Sequence, residues 1–233
     1  MEELLQMLTG RGATLVGFAD LSEVPTEVRA GMPRGVSLAV ALDPEIVAGI
    51  QDGPTPEYMD LYHRANEFLT ELAEAGAAFL RERGHCAEGW RASGGIDGKT
   101  LSVRTQHKTL ATRSGLGWVG KCALLVTEQY GSAVRFASIL TDAELPVGEP
   151  VDESRCGECA ACVEVCPGDA PQGRNWRVGM ERAEIFDAFA CARAMRERRE
   201  RAGDGIGICG MCIASCPYTR DYLRRSGVNL DAP

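Results

Sequence analysis

Ten cysteines are the residues with the most chemistry to offer in this sequence, and eight of them fall into two spaced groups. The run Cys156-Gly-Glu-Cys159-Ala-Ala-Cys162-Val-Glu-Val-Cys166-Pro167 has the C-x2-C-x2-C-x3-C-P spacing of bacterial ferredoxins. In that arrangement three thiolates wrap one cube of iron and sulfide, while the fourth, turned away by the proline, ligates a different cluster. A second cluster is therefore expected. Cys209-Gly-Met-Cys212-Ile-Ala-Ser-Cys216-Pro217 supplies the last three members of the same motif, and Cys191 fills the missing first place. The crossing rule assigns Cys156, Cys159, Cys162 and Cys216 to one [4Fe-4S] cluster and Cys166, Cys191, Cys209 and Cys212 to the other. Cys191 is placed by leftover valence, because its distance from Cys209 is irregular. A zinc ribbon is the alternative, since paired C-x2-C units also grip a tetrahedral ion. It has no use for a third cysteine two residues on, or for two Cys-Pro endings. Cys86 and Cys122 remain and read as small, buried thiols without a ligand role.

A second constellation surrounds Gly115-Leu-Gly117-Trp-Val-Gly120, which spells G-x-G-x-x-G. A dinucleotide fingerprint must follow a strand and open a helix. Here the glycines close a helix and open a strand, so they suit a tight backbone approach to some other large ligand. His107, Lys108, Arg113 and Lys121 gather around this turn and fit an anionic or phosphate-bearing ligand. His107, Lys108 and Arg113 are the candidates for handling substrate or proton. His63 and His85, taken singly, read as solvated or hydrogen-bonded side chains. The basic run Arg193-Ala-Met-Arg-Glu-Arg-Arg-Glu-Arg-Ala202 reads as a solvated helix laced with ion pairs. Its alternative is a docking face for an acidic redox partner or a polyanion.

Elements that would hold these groups follow from periodicity. Residues 2–8 predict a short helix, and the apolar runs 13–19 and 35–42 predict buried strands. Asp52-Gly-Pro-Thr-Pro is a breaker in which Thr55 caps a helix with Pro56 at its first position. Apolar residues from Tyr58 to Leu80, Phe68 among them, recur every three or four positions, so a long helix over 57–83 buries one face and Gly84 ends it. A strand is expected over 86–92, a loop at Gly94, Gly95, Asp97 and Gly98, a helix over 105–114, and a hairpin of 123–127 with 133–140 about Tyr130-Gly-Ser132. Helices mixed with strands give an α+β chain in which an α/β domain over 1–145 precedes a ferredoxin-like domain over 146–233, with Pro146-Val-Gly-Glu-Pro150 as the linker.

With 233 residues and 45% hydrophobic content the chain can bury a core. No basic-then-apolar leader opens it, and no run approaches the ~18 apolar residues of a membrane span. Ferredoxin spacing turns the cysteine count away from disulfides and toward a reducing compartment, so a soluble cytoplasmic protein with no membrane partner is expected. A net charge of −8 argues against a nucleic-acid surface spread over the molecule.

Together, Arg113-Ser-Gly-Leu-Gly-Trp-Val-Gly-Lys121, the segment closing with Leu140-Thr-Asp142, Tyr62-His63 and the two cysteine motifs resemble epoxyqueuosine reductase over about 58–222. That family is cobalamin-dependent, carries two [4Fe-4S] clusters and is related to the reductive dehalogenases. The resemblance implies a nitroreductase-like α/β domain, a corrin lying against Leu125, Val126, Thr127 and Phe136 and approaching Cys209 and Gly210, and electrons reaching it from a donor such as ferredoxin or flavodoxin through both clusters. Gly115, Gly117, Gly120 and Lys121 belong to the same cofactor-binding set. Two departures stand out. The aspartate that the family uses as proton donor falls at Leu101 in Thr100-Leu-Ser-Val-Arg104, so that donor is missing or replaced by another residue such as His107, and the chain stops soon after the second motif. Both point to a small-molecule substrate, and tRNA is not expected as a partner. A ferredoxin-type electron carrier and a corrinoid-handling protein without its own substrate are the rivals.

Overall fold

The computed structural model describes residues 2–94, 97–103, 107–202 (backbone only from 199) and 208–230. Gly95, expected in a loop, Thr105, expected at a helix start, and Arg104, the end of the Thr100–Arg104 segment, lie outside them. So do the side chains of Arg199 and Arg201 in the basic run. In chain order the elements are α1 (Glu2–Gly10), β1 (Leu15–Asp20), β2 (Arg34–Ala41), α2 (Pro44–Ala48), α3 (Pro56–Arg81), β3 (Ala87–Trp90), α4 (His107–Arg113), β4 (Trp118–Val119), β5 (Leu125–Val126) and β6 (Val134–Thr141). They are followed by α5 (Ala161–Glu164), α6 (Arg182–Ile185), α7 (Ala188–Ala202), α8 (Met211–Ala214) and α9 (Pro217–Arg225). The chain forms two compact units. The first comprises Met1–Ala41, Arg64–Gly117 and Arg135–Asp152, and the second Leu42–His63, Trp118–Val134 and Glu153–Pro233.

In the first unit a four-stranded sheet has the order β1-β2-β6-β3, with β1 antiparallel to β2 and β3 antiparallel to β6. Strand alternation sends neighbouring residues to opposite faces. Phe18 and Ile139 join Leu4, Leu8, Leu69, Leu72, Ala77 and Leu80 under α1 and α3, whereas Ala19 and Leu140 join Leu110 of α4 and Trp90. Burying each of the leucine, isoleucine and phenylalanine side chains is worth about 1.5–3 kcal/mol. Phe68 was expected on the buried face of α3 but lies at its margin, 37% exposed, with its ring against Gly12. α4 sits close to β1 because Gly17 has no side chain: a Cβ there would stand 2.7 Å from Ser114 Oγ. The stretch 146–152 is hydrogen-bonded to this unit, Gly148 N to Phe18 O at 2.8 Å and Val151 N to Thr112 O at 2.9 Å.

The expected hairpin of 123–127 with 133–140 does not form. β5 turns back on β4, pairing Leu125 with Val119 and Val126 with Trp118, and β6 enters the large sheet. The reason is local. Ala123 adopts a left-handed conformation (φ 58°), and the bonds Ala123 N to Gly120 O and Gly120 N to Leu124 O, both 2.8 Å, reverse the chain before β5. α2 was not foreseen, although Asp43-Pro44 carries its signal: the Asp43 carboxylate accepts from Glu45 N and Ile46 N, with Pro44 in the first turn. The long helix starts as expected, Tyr58 N donating to Thr55 Oγ1 at 3.2 Å.

Candidate metal centre

The two cysteine motifs build the same local structure twice, in the second unit. In the first motif Cys159 N bonds Cys156 O, the single turn α5 follows, and Cys166 N bonds Val163 O. In the second, Gly210 takes a left-handed conformation (φ 84°), α8 follows, and Cys216 N bonds Ile213 O. Gly210 is required here, because a Cβ would come within 2.5 Å of Ile50 and 2.8 Å of Tyr58. Each motif ends in Cys-Pro, and Cys216 becomes the residue before α9 with Pro217 at its first position.

Cys191 enters on α7, whose start is fixed by the Asp187 carboxylate accepting from Phe189 N and Ala190 N at 2.9 Å. α7 reaches the Cys166 loop through Gly168, where a Cβ would stand 2.8 Å from both Ala190 O and the Ala194 methyl. Burial, then the neighbouring thiols of Cys166 and Cys209, push the Cys191 thiol up to about 11. Burial also raises the Cys216 thiol, which has Cys156 as its sulfur neighbour. Among the described residues no three Cys, His, Asp or Glu side chains converge as they would around a single metal ion.

The β4–β5 turn lays three further groups beside these loops. Lys121 is only 6% exposed, and its ammonium donates to Gly157 O at 2.8 Å, a carbonyl that also accepts from Asn175 Nδ2 at 3.1 Å. The Cys122 thiol lies within hydrogen-bonding reach of both Cys162 and Cys212, and it is the largest cause of the raised Cys162 thiol. Trp118 is fully buried, stacks edge-on against Tyr218 with centroids 5.0 Å apart, and lies 5.5 Å under the Arg155 guanidinium. Its indole N–H has no partner among the described residues. These observations fit a pair of iron-sulfur clusters. Crowded, partly buried thiols ionise readily beside a metal cation, and the indole N–H between the neighbours of Cys156 and Cys216 has no acceptor among the described residues.

The remaining sequence candidates separate. In the first unit, α4 ends in paired turn bonds, Leu116 N to Ala111 O and Gly115 N to Thr112 O, with Gly115 left-handed at φ 75°. Arg113, on its last turn, pairs with Asp152. His107 lies between Ser138 and the Arg91 carbonyl: its Nε2–H donates to Arg91 O at 2.9 Å, and its Nδ1 accepts from Ser138 Oγ at 2.8 Å. Burial lowers the imidazole to about 4, with the nearby Arg135 charge acting in the same sense and the Arg91 bond opposing it. At neutral pH it is thus an uncharged ring with both nitrogens engaged, edge-on to Phe136 at 6.1 Å. Lys108 is half-buried in the same turn. Leu101, where the acid was sought, stands in a tight turn with Asp97, whose carboxylate accepts from Lys99 N and Thr100 N and is held below its ordinary range by those bonds.

In the second unit Leu125 and Val126 are 1% exposed and Thr127 not at all, its hydroxyl donating to Gly131 O. Those three side chains, expected against a corrin, are covered by the chain itself. Gly117, Gly120 and Gly210 are buried, while Gly115 is exposed and Phe136 half-exposed. Cys86, read as a buried thiol, is exposed, and the Asp142 carboxylate beside it raises its pKa. Cys122 is buried as expected, but its place against Cys162 and Cys212 and the orphan donor of Trp118 have no signature in spacing. Only the packing of the β4–β5 turn brings them there.

Residues 155–219 match the 4Fe-4S double cluster binding domain. The epoxyqueuosine reductase of Lactococcus garvieae is 34% identical over 111 residues, covering 48% of this chain and 31% of its own length. The chain spans about a third of the length of the curated relatives it matches. Among solved structures, a reductive dehalogenase bearing on the mechanism of B12-dependent dehalogenation superimposes with TM-score 0.72 at 18% identity, covering 100% of this chain and 34% of that one. An epoxyqueuosine reductase in complex with an epoxyqueuosine-modified tRNA-Tyr stem loop gives 0.62 at 19%, covering 94% and 65%. The protein therefore carries a 4Fe-4S double cluster binding domain, is a sequence relative of the epoxyqueuosine reductases over about half its length, and shares its fold with them and with a reductive dehalogenase.

Proposed function

We propose that this chain is an iron-sulfur oxidoreductase of the epoxyqueuosine reductase type that passes electrons through two [4Fe-4S] clusters to a cobalamin and reduces a small molecule. The observation that supports it most is the sorting of the partly buried thiols, Cys191 beside Cys166 and Cys209, and Cys216 beside Cys156, which is the exchange of fourth ligands expected of paired cubes. Cys156, Cys159, Cys162 and Cys216 would hold one cluster, and Cys166, Cys191, Cys209 and Cys212 the other. When bound, the cubes supply one-electron transfer and the cobalamin supplies the reducing centre.

The chain's own residues do the rest. The eight thiols, all partly buried, would give up their protons on binding iron. Arg113, fixed by Asp152, and Lys108 offer charge for an anionic substrate, while neutral His107 holds the start of α4 to Ser138 and Arg91 rather than delivering a proton at neutral pH. Exposed Arg193 and Arg196, the turn after Cys191, suit an acidic donor such as ferredoxin or flavodoxin. The proposal divides the chemistry between residues 1–145, a nitroreductase-like α/β cofactor domain with Gly115 and Phe136 as the accessible members of its contact set, and 146–233, the ferredoxin-like part. Two cubanes are at home in the reducing cytoplasm. Among the described residues no helix is long and apolar enough to cross a membrane. The charge of −8 supports a small substrate over tRNA.

A second reading, an electron carrier with no substrate, is favoured by one observation: Leu125, Val126 and Thr127 offer no side-chain surface to a corrin. Anaerobic reconstitution with iron, sulfide and cobalamin, followed by desalting, separates the two. Eight irons and one corrin per chain are expected. Iron without corrin leaves the carrier, and zinc in place of iron removes the redox reading. Binding of a modified tRNA stem loop at physiological salt would overturn the small-molecule assignment.

A further inference from the structure

The β4–β5 turn presents a cation and a buried donor to the loop that opens the first cysteine motif. Lys121 is an almost fully buried ammonium, and the acceptor it holds, Gly157 O, lies between Cys156 and Cys159. Two carboxylates stand near the same loop: exposed Glu158 is screened by water, and Glu128 is paired with Arg155. On the same ribbon, the indole N–H of fully buried Trp118 has no hydrogen-bond partner among the described residues.

We propose that Lys121 sets the reduction potential of the cluster held by Cys156, Cys159, Cys162 and Cys216, raising it above the value the same ligands would give without that charge. The inference rests on the cluster reading above. Reduction moves one electron from a ferredoxin- or flavodoxin-class carrier, which is oxidised, to the cube, which gains one negative charge; no atom is exchanged. A fixed positive charge in a water-poor site favours the more negative state, and cluster potentials follow local charge and hydrogen bonding.

The test is an EPR-monitored redox titration of the reconstituted protein beside Lys121→Gln, which keeps a donor for Gly157 O but no charge, and Lys121→Arg, which keeps the charge. Cys159→Ser, by altering one signal, identifies which cluster is which. In the Gln variant the reduced-to-oxidised ratio of the first cluster at a fixed potential should fall about tenfold, about 59 mV for one electron. The second cluster should move less, and the Arg variant should stay within about twofold of the parent. Loss of four irons from the Gln variant but not from the Arg variant also supports the role of the charge. Equal shifts or equal iron loss in both variants overturn it, as does an unmoved ratio in the Gln variant with eight irons retained. Parent protein without iron fails the cluster reading and this inference together, whereas eight irons with an unmoved ratio fails this inference alone.

Discussion

Trp118 offers the sharpest way to ask whether the β4–β5 turn is part of the cluster-binding structure. Trp118→Ala removes a fully buried side chain, at a cost of about 3–5 kcal/mol for the lost burial and the cavity left behind. The edge-on contact with Tyr218 adds about 0.5–1.5 kcal/mol. The contact with Arg155 adds about 0.5 kcal/mol, because that side chain is half exposed. The sum, about 4–7 kcal/mol, is a large part of the roughly 5–15 kcal/mol that holds a domain together. The damage is directed: Arg155 immediately precedes Cys156, and Tyr218 is two residues beyond Cys216, so one ligand set loses its support at both ends. Trp118→Phe keeps a ring against Tyr218 and removes the partnerless N–H, so its cost should stay below about 2 kcal/mol. Anaerobic denaturant titration followed by cluster absorbance, with iron counted after desalting, reads both variants. The Phe variant should keep eight irons, and the Ala variant should unfold at lower denaturant and keep about four. An Ala variant with all its iron and an unshifted midpoint would refute the assignment of this turn to the cluster with Cys156 and Cys216.

Three further perturbations test other joints. Cys191→Ala should reduce the iron count from eight toward four while Cys122→Ala leaves it at eight; the reverse result would make Cys122, through its contacts with Cys162 and Cys212, the ligand instead. Gly131→Val forces a branched residue into a left-handed conformation (φ 57°) and drives its Cβ to within 2.2 Å of Thr219 N, so a loss of about 3–5 kcal/mol and a clear fall in Tm are expected by calorimetry. His107 is depressed to about 4 in the folded protein, below the unfolded value of about 6.5, so the unfolded chain binds the extra proton between those values. Stability is then complete above about pH 6.5 and falls as pH drops toward 4, by about 1–2 kcal/mol once the partial exposure of the ring is discounted. His107→Gln should flatten that part of the difference in urea midpoints between pH 7 and pH 4.5, and an unchanged slope would refute the assignment.

How far the sequence reveals this molecule depends on whether a signal is local. Helix α3 is legible from end to end because its cap at Thr55, its apolar stripe and its stop at Gly84 all lie within the segment itself. The turn bonds that put Gly115 at the end of α4 agree with the expectation that the glycine element closes a helix. The hairpin about Tyr130 fails because turn residues specify a reversal but not a partner: Gly131 is held against Thr219, 88 residues away in the chain, and β6 is drawn into a sheet whose other strands come from 15–41 and 87–90. The cysteines announce a cluster by spacing alone, yet nothing in their own neighbourhood announces Lys121, Cys122 or Trp118. Each of these reads as an ordinary member of a glycine-rich loop until the turn at Ala123 aims it.

That distinction bears on what the unit around the cysteines is. A ferredoxin-like segment suggests a portable module, but the compact unit here also takes in Leu42–His63 and Trp118–Val134. Gly210, between two of the cysteines, is walled by Ile50 and Tyr58; Tyr222 Oη of α9 donates to Leu42 O at 2.8 Å; and Ser132 N donates to Thr219 Oγ1 at 3.0 Å. Without those two earlier segments, Tyr218 would lose the Trp118 ring and the Cys156 loop its buried lysine. A sequence match confined to 155–219 thus marks where the ligands are and understates what holds them. The potential of a cluster is set by groups around it as much as by its ligands. In this chain those groups arrive on a short ribbon that follows directly from the glycine turn, so a substitution in Trp118-Val-Gly-Lys121 acts on the metal centre although it lies more than thirty residues from the first cysteine of the motif.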